Sequence, residues 1–135
     1  MSDDQIRLVI PAQPEYGRIA RITASSLALR LGFGFAEIED LRLAVDEMII
    51  LLLRADGESG TISLTFTVVP DGLEVDAEAA GGDVPTGATE RAADGGRGAA
   101  EAAARARFEE LVDDIVDAHG VDAGRRSVHL ALHRR

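Results

Sequence analysis

The chain has no cysteine, no lysine, no asparagine and no tryptophan, and aromatic residues make up 4% of its 135 positions. Without cysteine, disulfides and thiolate metal sites are excluded, and cysteine usage gives no reading of the redox compartment. So few aromatics mean that the core has to be built from Leu, Ile, Val and Ala. Every basic residue is an arginine, 14 in all, a bias from which no mechanism follows. No apolar run approaches the ~20 residues needed to span a bilayer. The opening residues, Met1-Ser2-Asp3-Asp4-Gln5, are acidic and polar rather than a basic stretch leading into an apolar one, so a cytoplasmic protein is expected.

Positive charge is scarce as well. Against the 14 arginines stand 24 acidic residues, a formal net charge of -10. Such a chain repels phosphate backbones and anionic lipid, so direct binding to nucleic acid or a membrane surface is not expected, and a basic patch on a protein partner fits better. Apolar residues reach 46%, which argues against wholesale disorder, and the length suits one domain over residues 1–135 with a real core.

The order of elements reads as α/β. Ile6 to Ile10 is a short strand stopped by Pro11 and Pro14. From Glu15 to about Leu31, Ile19, Ile22, Leu27 and Leu31 recur at helical spacing, and Gly32 and Gly34 close the segment. A second helix is predicted from about Ala36 to Arg54, with Ile38, Leu41, Val45, Met48 and Leu52 on one stripe. Its second half, Met48 to Leu53, is apolar on every side, so it has to be enclosed by sheet, helices or a partner chain. Strands at Thr61 to Val69 and Leu73 to Ala79 flank the turn Pro70-Asp71-Gly72. Residues 80–104 are rich in Gly, Ala and charge without an apolar period, and read as a flexible, lid-like loop or a frayed helix entry. Helix returns from about Glu101 to Ala118, packing Phe108, Leu111, Val112 and Ile115, and Ser127 to Leu132 is a last strand. This order fits helices on one face of a mixed or antiparallel sheet.

The run Asp40-Leu41-Arg42-Leu43-Ala44-Val45-Asp46-Glu47-Met48-Ile49-Ile50-Leu51 carries the most information. Residues four apart on a helix share a face, so Glu47 and Leu51 point into the same space. A carboxylate base followed one turn later by a metal-holding amide has this spacing. Here the second position is leucine, which offers no oxygen to a hard cation such as magnesium.

Together with Arg7-Leu8-Val9-Ile10-Pro11-Ala12, Ile19-Ala20-Arg21-Ile22-Thr23-Ala24-Ser25-Ser26 and Leu111-Val112-Asp113-Asp114-Ile115, this run resembles the bacterial anti-sigma factors of the switch-protein serine kinase family in order and spacing. The likeness extends over nearly the whole chain. It implies the GHKL, or Bergerat, ATPase fold, a two-layer α+β sandwich. In the family the glutamate of the helix motif activates a nucleophile and an asparagine one turn later holds magnesium, so Glu47 matches the first role and Leu51 replaces the second. The family's second box, Asp-x-Gly-x-Gly after a strand, reads adenine through its aspartate; Ala79-Ala80-Gly81-Gly82-Asp83 stands in its place, so only a glycine turn at Gly81 remains. The third box holds phosphate on backbone N–H groups at a helix start. Its one candidate here is Gly96-Arg97-Gly98, about six residues upstream of the position, near Ala104, that the family spacing indicates.

Binding features survive better. Arg21 matches the first-helix arginine at the surface that, in the family, the sigma factor and its antagonist contact. Arg18, Arg21 and Ser25 share one helix face, a small basic, hydrogen-bonding patch. His119, His129 and His133 read as surface or half-buried residues, and no metal site is expected from them. The resemblance therefore implies an anti-sigma factor that sequesters an RNA polymerase sigma factor, is released by an anti-anti-sigma antagonist and pairs as a homodimer, while the departures at Leu51, Ala79 and Gly96-Arg97-Gly98 point to a pseudokinase without cofactor. The alternative is an active serine kinase that uses ATP and magnesium to phosphorylate its antagonist. A pseudo-ATPase adaptor in another signalling complex is a third reading.

Overall fold

In Thr61–Val69 the residues Ile62, Leu64 and Phe66 alternate with Thr61, Ser63 and Thr65, and a strand sends two such sets to opposite faces. The computed structural model, which describes residues 4–56, 60–81, 88–122 and 125–134, buries the first set completely. This strand, β2, lies between β1 (Gln5–Pro11) and β3 (Gly72–Ala80); β5 (Ser127–His133) follows, and β4 (Ala118–Asp122) closes the sheet in the order β1-β2-β3-β5-β4. The sheet, expected as mixed or antiparallel, pairs antiparallel at all four junctions. Strand β4 was not legible in the sequence. Its residues, Ala-His-Gly-Val-Asp, carry almost no strand pattern and are held by their ladder to β5. At the β2–β3 turn Gly72 sits so close to β5 that a Cβ would meet the His133 Cα at 2.9 Å and the Leu132 carbonyl closer still.

Helices α1 (Gly17–Arg30), α2 (Phe35–Asp56) and α3 (Ala88–Asp113) complete the fold. Ile62, Leu64 and Phe66 of β2, Leu73 and Val75 of β3 and Val128 and Leu130 of β5 are buried together with Leu41, Val45, Met48 and Leu52 of α2, so the predicted α2 stripe faces the sheet, with Ile38 at its edge. Each fully buried large apolar side chain contributes about 1.5–3 kcal/mol relative to exposure. Among the described residues no charged or polar side chain is buried, and no helix is long and apolar enough to cross a membrane.

Helix α1 departs from the expected packing. Its buried residues are Gly17, Ala20, Ala24 and Ala28, whereas Ile19 and Ile22 are exposed and Leu27 and Leu31 lie at the margin. Small side chains at i, i+3 and i+4 let the α1 backbone approach α2; a Cβ on Gly17 would already touch Ile49 Cγ2 at 3.6 Å. The helix ends in a Schellman motif: Phe33 N–H donates to the Ala28 carbonyl (3.0 Å) and Gly32 N–H to Leu29 (3.2 Å), with Gly32 at φ +86. Helix α2 then starts with Gly34 N–H donating to the Glu37 carboxylate at 2.8 Å.

Two further expectations are corrected. Helix α3 begins at Ala88, so most of the segment read as a loop is helical; its Ala, Glu and Arg content favours helix even without an apolar stripe. Residues 82–87 of that reading lie outside the described residues. The same helix stops at Asp113 rather than Ala118, and of its expected core residues Phe108 and Val112 are buried while Leu111 is exposed. The all-apolar end of α2 is enclosed by the fold itself at Met48, Ile49 and Leu52, leaving Ile50 exposed.

Candidate functional site

The i, i+4 relation places Glu47 and Leu51 on one side of α2, and α3 packs across them. Both line a cavity of about 570 Å³ shared with Ala100, Ala103, Ala104 and Phe108 of α3. Glu47 is half-buried and makes no hydrogen bond or ion pair among the described residues. Leu51 packs against the core and separates this cavity from an apolar groove of about 460 Å³ whose walls include Leu52, Val121 and Val128. Ala104 lines both spaces. Thus Glu47, Leu51 and Ala104, the three positions that the resemblance singles out, line one cavity.

The donor set at that convergence does not fit magnesium. Glu47 carries the only side-chain oxygen among the described residues lining the cavity, and magnesium needs a near-octahedral oxygen shell. Ala79, at the adenine-reading position, is buried, and its N–H donates to the Arg126 carbonyl at 3.0 Å. Gly81 takes φ +78 just after β3, a conformation that favours glycine, and the rest of the turn expected there lies outside the described residues. Gly96, Arg97 and Gly98 lie well inside α3 rather than at its start. Their N–H groups belong to the i→i−4 ladder, so they are not presented to a phosphate as free donors.

The second cluster lies between α1 and α2. Arg18, Arg21 and Ser25 line one groove of about 380 Å³ with Ile22, Phe35 and Arg42. Arg21 Nη1 donates to Asp46 Oδ1 at 2.5 Å. Ser25 Oγ donates to the Arg21 carbonyl at 2.8 Å, so its hydroxyl proton is turned to its own helix. Arg42 pairs with Glu39 at 3.0 Å. Sequence reasoning brought the two arginines and the serine together but missed Asp46, Ile22 and Phe35. The alanine stripe of α1 was the signal available for Ile22, because it turns the bulky residues outward.

The histidines are half-exposed or exposed. His119 Nε2 stands 3.1 Å from Asp113 Oδ1, and His129 Nδ1 stands 2.7 Å from Asp76 Oδ1 across the β3–β5 ladder. Among the described residues Glu74, Asp76 and His129 bring ligand-type atoms within 4.8 Å of one another on the open face of the sheet. That grouping was invisible in the sequence, since it depends on strand register.

Comparison with known proteins gives several relatives that share the name serine-protein kinase RsbW. Serine-protein kinase RsbW of Oceanobacillus iheyensis is 41% identical over 75 residues, covering 53% of this chain and 48% of the relative. The protein of that name from Bacillus pumilus is 42% identical over 77 residues (53% and 48%), and that from Bacillus subtilis strain 168 is 41% identical over 75 residues (53% and 47%). The chain spans about half the length of the curated relatives it matches. No protein-family model matches it. The resemblance to the switch-protein serine kinase family is therefore shown at the level of sequence, over about half of the chain.

Proposed function

We propose that this chain is an anti-sigma factor that binds and sequesters an RNA polymerase sigma factor through the α1–α2 surface and is released by an antagonist protein, without using nucleotide. The observation that carries the nucleotide-free part is Leu51, one turn after Glu47, forming an apolar wall where the family resemblance calls for a metal-holding amide. Ala79 deepens the argument by withholding a carboxylate from adenine. Binding through protein contact needs only the scaffold and the Arg18, Arg21 and Ser25 groove. On this reading the protein acts in the cytoplasm and pairs as a homodimer, as the resemblance implies. Purified sigma factors of the source organism, each passed over the immobilised chain, test it: one of them is retained, and retention of none would overturn the reading.

A second reading has its own support. The relatives are named serine-protein kinases, which favours ATP-dependent phosphorylation of the antagonist more directly than it favours a nucleotide-free protein. Half-buried Glu47, without a partner among the described residues, would then be the base that takes the proton from the attacking serine hydroxyl. Transfer of labelled phosphate from ATP to a candidate antagonist, lost in Glu47→Ala, would establish this reading and remove the nucleotide-free one.

A further inference from the structure

Val75 and Ala77 of β3 and Val128 and Leu130 of β5 are buried under the helices, so the residues that alternate with them, Glu74 and Asp76 on β3 and His129 and Ala131 on β5, stand on the open face of the sheet. The β3–β5 register sets Asp76 directly opposite His129 and Glu74 opposite Ala131. Asp76 Oδ1 stands 2.7 Å from His129 Nδ1. Glu74, two residues along the strand and one methylene longer than Asp76, reaches diagonally past the small Ala131. One ligand-type atom of each of Glu74, Asp76 and His129 thereby lies within 4.8 Å of the other two. Neither carboxylate pairs with an arginine among the described residues, and Glu74 makes no hydrogen bond or ion pair there. Across the ladder to β2 they meet only Thr67 and Thr65. On β4 the residue opposite His129 is Gly120, where a Cβ would touch nothing within 4 Å, and Asp76, Gly120 and His129 line a hollow of about 270 Å³. Two carboxylates thus converge on one imidazole, with open space beside it.

We propose that Glu74, Asp76 and His129 form a zinc site that clasps β3 to β5. The donor set selects the ion. One imidazole nitrogen with two carboxylate oxygens suits zinc, which takes N and O ligands at about 2.0–2.2 Å in a tetrahedron and accepts water as the fourth ligand. Magnesium and calcium call for shells of oxygen, and a site without thiolate does not suit copper(I). A tetrahedral ion holds its donors about 3.3 Å apart at those bond lengths, so Asp76 and His129 part slightly while Glu74 closes in. The doubly charged ion neutralises the two carboxylates, and the hollow beside Gly120 gives the water its place. All three ligands sit on paired strands, so binding has only side-chain rotation to order. Spacing along the chain led to no metal site at the histidines, because Glu74 and His129 meet only through strand register. The site lies on the opposite face of the sheet from α2 and Glu47, so the inference stands apart from both functional readings.

Zinc chloride titrated into the full, untagged, metal-free chain tests the proposal, followed by calorimetry, by NMR of the imidazole rings and by thermal melts. One ion binds per chain, and the ring signals of His129 shift while those of His119 and His133 stay in place. The melting temperature rises with zinc and not with magnesium, as an ion that binds only the folded state requires. His129→Ala and Glu74→Gln each weaken zinc binding about tenfold or more, at least the effect of losing an outer-shell partner, and the zinc-dependent rise in melting temperature shrinks with it. Both residues are half-buried on the sheet surface rather than in the core, so the variants fold. His133→Ala, four residues further along the same strand, leaves the affinity unchanged. Absence of zinc binding, equal stabilisation by magnesium, or unchanged zinc affinity in His129→Ala or Glu74→Gln would overturn the proposal. So would a shift of the His133 or His119 ring in place of His129, which would put the ion elsewhere.

Discussion

Leu51→Asn puts back the amide that the family resemblance calls for, and it should damage the fold without restoring nucleotide binding. Leu51 is partly buried, so it loses roughly half of the 1.5–3 kcal/mol that a fully buried leucine contributes, about 1 kcal/mol. Setting an amide into a wall shared with Leu52, Ala104 and Phe108 adds a desolvation penalty of about 1 kcal/mol where no partner is supplied. The sum, about 2 kcal/mol, lowers the melting temperature of a domain of this size by roughly 6–12 °C. Thermal melts of wild type and variant, with and without excess magnesium and ATP, read both effects. A ligand at a hundred times its Kd stabilises by about 2.7 kcal/mol, enough to restore the whole loss. The expected result is the same drop in either buffer, because Ala79 still lacks a carboxylate and the N–H groups of Gly96 and Gly98 remain in the α3 ladder. A rise of several degrees specific to magnesium and ATP in Leu51→Asn would refute the account of the second and third boxes.

Three other substitutions separate fold from function. Gly72→Ala drives a methyl into β5 at Leu132 and His133 and should lower stability by about 2 kcal/mol or more in denaturant unfolding, with loss of β3–β5 amide protection. Ala24→Leu overfills the fully buried α1 seat, lowering stability by about 1–3 kcal/mol; because α1 must shift, retention of the sigma factor should weaken with it. Glu47→Ala removes a half-buried carboxylate that has no partner among the described residues, so urea unfolding should move by no more than about 0.5 kcal/mol, and sigma-factor retention should be unchanged.

Helix α2 was the most legible element because both of its signals are local: an apolar stripe at 3.6-residue spacing and a Glu47–Leu51 pair one turn apart. Helix α1 was located correctly but turned the wrong way. Periodicity weighs bulky residues, whereas Ala20, Ala24 and Ala28 form the seat because close helix approach rewards small ones. The extent of α3 was missed because a surface helix rich in Ala, Glu and Arg needs no apolar period, and β4 because cross-strand pairing supplies what its own residues lack. In the α1–α2 groove, i, i+3 and i, i+4 spacing joined Arg18, Arg21 and Ser25. The Arg21–Asp46 pair and the nearness of Phe35 to Arg18 depend on how two helices cross, which no local pattern records.

On the proposed reading this chain acts by gripping a protein rather than by handling a nucleotide. Isothermal titration of the purified wild-type protein with ATP, ADP and GTP, each with and without magnesium, tests that claim most directly. Absence of binding heat in every titration, with a sigma factor retained by the same preparation, is the expected outcome. Micromolar, magnesium-dependent ATP binding would contradict it and make the serine-kinase reading the one to pursue.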